Sequence, residues 1–171
     1  MYTIFLIFNI VIDIALMAAL YWLLRPLVRG AVYFPTTPEG VGIIKRLADA
    51  KPGELVADLG SGDGRIVMAF ASEGSKTHGF EIDPWLVWKS RKAIKDAGLE
   101  KRAFVHWKSF WRADLSQYDV IAVYAFPTIM KRLERKLERE LKPGARIVSN
   151  IYEFPNWKPT KKEGGVTLYI R

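Results

Sequence analysis

Val56-Ala57-Asp58-Leu59-Gly60-Ser61-Gly62-Asp63-Gly64-Arg65 decides the fold. Leu55 to Ala57 is a short apolar run that reads as a buried strand entering Asp58. Arg65 to Ala71 reads as the start of a helix. The glycines between them permit a tight turn and let a ligand approach the backbone. In an open α/β sheet, ligands bind in the crevice beyond the carboxyl ends of the strands. Glu81 ends the next apolar run, about 20 residues further on, where an acid accepts hydrogen bonds from a ribose diol. The turn is not the dinucleotide fingerprint, because Arg65 stands where that pattern has its third glycine. Asp58 and Asp63 flank it, which suits a cationic or zwitterionic ligand better than a pyrophosphate. No phosphate-binding P-loop and no Gly-x-Ser-x-Gly nucleophile elbow occur.

Outward from this turn, strand and helix signals alternate. Thr77 to Ile82, Ala103 to Trp107, Asp119 to Tyr124, Ala145 to Ile151 and Val166 to Ile170 read as strands. Pro38 opens a helix through Ala50, Pro84 one that Gly98 closes, and Ile129 to Leu141 a charged amphipathic helix stopped by Pro143-Gly144. The alternating signs of the last helix read as a solvated face with i,i+4 pairs. This pattern predicts a doubly wound, mostly parallel sheet with helices on both faces, a Rossmann-like architecture. For four tryptophans, Trp85, Trp88, Trp107 and Trp111, core packing is the default expectation, with a substrate surface for some of them the minority reading.

The chain has 171 residues, no cysteine and two histidines. That length suits one soluble domain. Disulfides, thiolate metal sites and a cysteine nucleophile are excluded. His78 and His106 fall within strands and read as satisfied core or edge histidines rather than a base or a metal site.

Residues 4–24, IFLIFNIVIDIALMAALYWLL, stand apart. All 26 Lys and Arg, and every acid except Asp13, lie after residue 24. As a helix this run is ~32 Å long, enough to cross a ~30 Å hydrocarbon core. Its flanks lack the basic start and small-residue cleavage site of a signal peptide. Tyr21 and Trp22 sit at an interfacial position, and Pro26 is expected to end the helix. Asn9 and Asp13 share a face that either pairs with another helix or is simply tolerated. Arg25 and Arg29 predict a single-pass membrane protein with its domain in the cytoplasm. Residues 1–29 would form the membrane helix with its basic flank, and residues 30–171 the soluble domain, entered through the proline-containing stretch 30–38.

Asp58 to Gly64, with Gly79-Phe80-Glu81-Ile82-Asp83, resembles the first two motifs of class I S-adenosylmethionine-dependent methyltransferases. The resemblance covers roughly residues 33–171 as an order of elements. It implies S-adenosylmethionine as cofactor, with Asp58, Gly60, Ser61, Gly62 and Asp63 around the methionine part. It likewise implies Glu81 on the ribose hydroxyls, Ile82 against the adenine and Ser109 in place of the family's acid or Asn near the adenine amino group. Tyr33-Phe34-Pro35-Thr36, the run LERKLERELKPG (133–144) and Trp157 resemble the small protein-lysine methyltransferases of the same class, including archaeal and mitochondrial members. Ser149-Asn150 stands where that family has Ser-His.

Methyl transfer from a sulfonium asks the protein to position donor and acceptor and to exclude water. A lysine acceptor must be neutral, which a desolvated aromatic channel favours. Tyr124 and Phe126, in Val123-Tyr124-Ala125-Phe126-Pro127, end the fourth strand at the methyl end of this fold. They either hold a cation by their ring faces, with Tyr124 ordering the amine, or serve as core aromatics. Tyr33, Thr36 and Phe126 are the expected substrate contacts and Tyr124 the expected catalytic residue. The segment is not the [Asp/Asn]-Pro-Pro-[Tyr/Phe] motif of nucleobase methyltransferases, which counts against a nucleic-acid partner despite the net charge of +8. The expected function is methylation of protein lysine, with membrane proteins the preferred substrates. The alternatives are a small-molecule or lipid-associated methyltransferase, or a non-catalytic membrane module of the same fold.

Overall fold

The computed structural model describes residues 2–29 and 34–171, and of residues 23–29 only the helical backbone. The chain divides into two compact units, residues 1–32 and 33–171.

In the first unit, α1 spans Tyr2–Arg29. Its segment Tyr2–Trp22 has a mean hydropathy of 2.4, with none of its residues buried, and is long and apolar enough to cross a membrane. Pro26 does not end the helix, contrary to expectation. A proline forfeits one ladder hydrogen bond and crowds one carbonyl, and here the helix runs on past it. Asn9 Nδ2 donates to the Phe5 carbonyl at 2.8 Å, so its amide is satisfied within its own helix.

The second unit is a seven-stranded mixed sheet in the order β3-β2-β1-β4-β5-β7-β6. The strands are β1 (Leu55–Leu59), β2 (Lys76–Glu81), β3 (Ala103–Trp107), β4 (Val120–Val123), β5 (Arg146–Asn150), β6 (Lys161–Glu163) and β7 (Val166–Ile170). Strands β1 to β5 are parallel, whereas β7 runs antiparallel to both β5 and β6. The chain order reverses between β1 and β4, which opens a crevice beyond their carboxyl ends.

Side-chain alternation builds both layers. Ala57 and Leu59 of β1, Ile121 and Val123 of β4 and Ile147 of β5 face a core closed by Met130, Leu133 and Leu137 of α5 (Pro127–Glu140). Their neighbours Val56, Val120, Ala122 and Val148 face Ile43, Ile44 and Leu47 of α2 (Pro38–Ala48) and Ile66 and Phe70 of α3 (Arg65–Ser72). Period-two strands between period-3.6 helices give this doubly wound arrangement. The α2 start is fixed by Thr37, whose hydroxyl accepts from Gly40 N at 3.1 Å. The α4 helix (Pro84–Asp96) is capped by Asp83, whose Oδ1 accepts from Trp85 N and Leu86 N.

Three expectations need correction. The α5 helix is not wholly solvated: Glu134 and Lys136 are buried. Glu134 accepts from Asn156 N and Nδ2, and Lys136 Nζ bonds Glu140 and the Ala113 carbonyl, so both charges are satisfied. The tryptophans are not all core residues: Trp85, Trp88 and Trp107 are exposed, and only Trp111 packs partly against the core. Aromatic richness alone does not signal burial: Trp85 and Trp88 lie on the outer side of α4, and Trp107 ends the edge strand β3. The histidines satisfy each other, with His78 Nδ1 3.0 Å from His106 Nε2, but His78 Nε2 is buried without a partner.

Candidate functional site

Asp58 sits in β1 opposite Gly79 of β2 and Ala122 of β4, at the point where the order reverses. Beyond it the chain turns through Gly60 and Gly62, with φ of 91° and 53°. These are left-handed conformations that favour glycine. Gly60 N and Ser61 N both donate to the Phe80 carbonyl, laying the turn over β2. Gly79 makes this approach possible: a Cβ there would lie 2.5 Å from Ser61 Oγ and 2.8 Å from Val67 Cγ2.

Glu81 anchors the turn from the end of β2. Its Oε2 accepts from Gly62 N at 2.9 Å, and its Oε1 accepts from Ile82 N at 2.7 Å and Asp83 N at 2.8 Å. Burial nevertheless outweighs these three donors and raises the Glu81 pKa. Asp58 is 3% exposed and its Oδ2 has no hydrogen-bond partner. Burial, reinforced by the negative charges of Glu81 and Asp63, pushes its carboxyl up to about 8. Ser61 Oγ is likewise buried without a partner.

Asp63 lies beside the turn and is paired with a cation. Its two oxygens grip Arg65, at 2.9 Å from Nε and 2.7 Å from Nη2. Arg65 Nη1 in turn donates to the Thr36 carbonyl at 2.6 Å, tying the segment before α2 to the glycine turn. Thr36 is buried, and its Oγ1 lies 3.4 Å from Asn150 Nδ2 at the end of β5. Thr36, Arg65 and Asn150 therefore meet on one side of the crevice. Tyr33 lies outside the described residues.

Tyr124 follows β4 and is partly exposed. Burial, then the proximity of Tyr152, raises its phenol pKa. Tyr152 carries no signal in the sequence. It is placed by a tight turn after β5, in which Ser149 Oγ donates to the Tyr152 carbonyl and Ile151 adopts φ of 68°. A β-branched residue in that region is strained, and such strain concentrates at functional sites. Phe126 is the N-cap of α5 and is partly buried. Ser109 precedes a 3₁₀ turn, Phe110–Arg112, beyond β3, and makes no capping bond there.

The crevice thus carries a buried excess of carboxyl groups, an unpartnered acid oxygen and an unpartnered hydroxyl. A cationic, hydroxyl-bearing ligand is the chemical complement of that set. Residues 58–161 match the family described as the ANTKMT methyltransferase domain. The chain belongs to this family. The match begins at Asp58 and takes in the acid cluster, Tyr124 and Tyr152.

The chain is 39% identical over 132 residues to the ATP synthase c-subunit lysine N-methyltransferase of Mus musculus, covering 77% of this chain and 53% of that protein. It therefore spans about half the length of that relative. It is 33% identical over 129 residues to a protein-lysine N-methyltransferase of Saccharolobus islandicus, covering 74% of this chain and 80% of the relative. Among solved structures, an RNA methyltransferase from Salinibacter ruber in complex with S-adenosyl-L-homocysteine superposes with a TM-score of 0.74 at 34% identity. That match covers 80% of this chain and 91% of the other. The family's cofactor is S-adenosylmethionine, and the unpartnered oxygens of Asp58 and Ser61 suit its cationic and hydrogen-bonding groups.

Proposed function

We propose that this methyltransferase-family protein transfers a methyl group to protein lysine ε-amines, at a membrane. The observation that carries the reading is the buried Asp58–Glu81 acid pair beside the glycine turn, with Asp58 Oδ2 unpartnered. When bound, the cofactor supplies an electrophilic methyl on a sulfonium. Asp58 and the backbone of Gly60 to Gly62 hold its amino-acid portion, with Ser61 donating a hydroxyl. Glu81, already oriented by three backbone donors, accepts from the ribose diol. Ile82 lies against the adenine and Ser109 approaches its edge. Asp63 acts through Arg65, fixing the turn to Thr36.

On the acceptor side, Tyr124 orders the amine through its hydroxyl, and Phe126 with Thr36 and Tyr33 shapes the entrance. The partly desolvated aromatic surroundings favour a neutral amine, whose lone pair must point at the methyl carbon. Tyr124 is an un-ionised phenol at neutral pH, and its oxygen can accept from the amine N–H, which leaves the nitrogen lone pair free for the methyl carbon. The names of the lysine methyltransferase relatives support the acceptor class. The apolar stretch Tyr2–Trp22 supports a single membrane pass, and Arg25 with Arg29 a cytoplasmic domain. A tether raises the effective concentration of membrane-protein substrates without tight docking.

The test is incubation of the full chain with methyl-labelled cofactor and a membrane extract, followed by mass spectrometry. Label on lysine ε-amines, enriched in membrane proteins, is the expected result. Label confined to RNA, lipid or small metabolites would overturn the lysine assignment.

A further inference from the structure

The exposed tryptophans form a surface that the methyl-transfer chemistry does not use. Trp85, Trp88, Lys92 and Lys95 recur at helical spacing along one side of α4. Trp85 and Trp88 stack on each other at 4.8 Å. Trp107, at the end of the edge strand β3, donates its indole N–H to the Ile82 carbonyl at 3.1 Å and leaves its ring outside, 65% exposed. Between Trp88 and Trp107 runs an open groove of about 410 Å³, floored by Val87 and rimmed by Arg91, Lys92 and Lys95. The Arg91 guanidinium is already engaged with the Val105 carbonyl. Asp96 pairs with Lys92 at 2.6 Å, both 60% exposed, a contact weak enough to exchange for another anion.

We propose that this face docks on an anionic lipid bilayer. Indole rings settle at the headgroup level, and Lys and Arg beside them meet lipid phosphates. Three exposed indoles interleaved with cations on one face have that composition. Single-stranded nucleic acid, by contrast, is bound by open ring faces on which bases stack. Here Trp85 and Trp88 cover one another. Docking by this face rests on the membrane reading of α1 only in that α1 brings the bilayer within reach. Because Trp107 bonds the backbone of Ile82, a docked bilayer abuts the adenosine end of the proposed cofactor site.

The chain has no cysteine, so a single introduced thiol can carry an environment-sensitive fluorophore without background. Full-length Lys92→Cys and Lys162→Cys proteins, the latter on β6 at the opposite sheet edge, are labelled and reconstituted into vesicles. Carbonate extraction first establishes insertion, so a failed tether is read separately from failed docking. The vesicles are pure phosphatidylcholine or contain phosphatidylglycerol. A fluorescence gain and blue shift at position 92 is expected only with the anionic vesicles. It should be lost in about 1 M NaCl, where the Debye length is ~3 Å. It should also be lost on adding Trp85→Ser and Trp88→Ser, and position 162 should stay unchanged throughout. An equal response at both positions, no response at position 92, or a response to an RNA oligonucleotide in place of anionic lipid would overturn the proposal.

Discussion

Asp58→Asn should move stability and cofactor affinity in opposite directions. With its carboxyl pushed up to about 8 from an ordinary value of 3.8, Asp58 must take up a proton on folding at neutral pH. A group whose folded pKa is raised gives its full stability below the unfolded pKa, and loses it as pH rises through the folded pKa. The penalty is therefore near zero at pH 4. It grows by about 1.4 kcal/mol per pH unit, reaches about 4 kcal/mol at pH 7, and levels off above pH 8. Asparagine has nearly the same shape and no charge to bury, so it escapes this penalty. At about 2–4 °C per kcal/mol, the cofactor-free variant should melt roughly 8–16 °C above the parent at pH 7. At pH 4 the two should coincide. Cofactor affinity should fall ~10- to 100-fold, the loss of a charged hydrogen bond. Thermal unfolding of the full chain in mild detergent from pH 4 to 9, with calorimetric titration of the cofactor, reads both. A variant less stable than the parent at pH 7, or a stability difference flat across pH, would refute the buried-acid account.

Three further outcomes follow from the same geometry. Glu81→Ala, which removes the acceptor for Gly62, Ile82 and Asp83, should weaken cofactor binding by ~1.5–3 kcal/mol in calorimetry, and unchanged affinity would take Glu81 out of the site. Tyr124→Phe deletes only the hydroxyl beside Tyr152, so kcat should fall while cofactor affinity holds; equal losses in both would assign Tyr124 a structural part. The apolar Tyr2–Trp22 helix should keep the full chain in the pellet after carbonate extraction, and release of intact protein would exclude a spanning helix.

The glycine turn and the acid that follows it are legible in the sequence because both are local: a strand, a turn and a second strand end lie within one short stretch. Strands β3 and β7 appear at the boundaries their apolar runs predict. The short β6 escapes such a reading, since Lys161-Lys162-Glu163 has no apolar alternation and is a strand only because β7 lies beside it. The Asp63–Arg65–Thr36 link escapes it for a similar reason: Arg65 reaches across the sequence to a backbone carbonyl, which no residue type advertises. Tyr152 depends on a strained turn at Ile151, a backbone property invisible in a chain of letters. The tryptophans mislead because hydrophobicity does not tell that Trp85 and Trp88 lie on the outer side of α4 and Trp107 at the end of an edge strand.

Gly79 has an implication for how sequences of this kind can diverge. Any side chain there meets two neighbours at once, Ser61 within the turn and Val67 on α3. Shrinking residue 61 relieves one contact and leaves the other, so no single companion change opens the position. A substitution at 79 would need two prior changes, one of which alters the ligand-facing turn and the other the buried side of a helix. Along a mutational path of one step at a time, this glycine is therefore held by a double lock, and drift should reach positions 61 and 67 before it reaches 79.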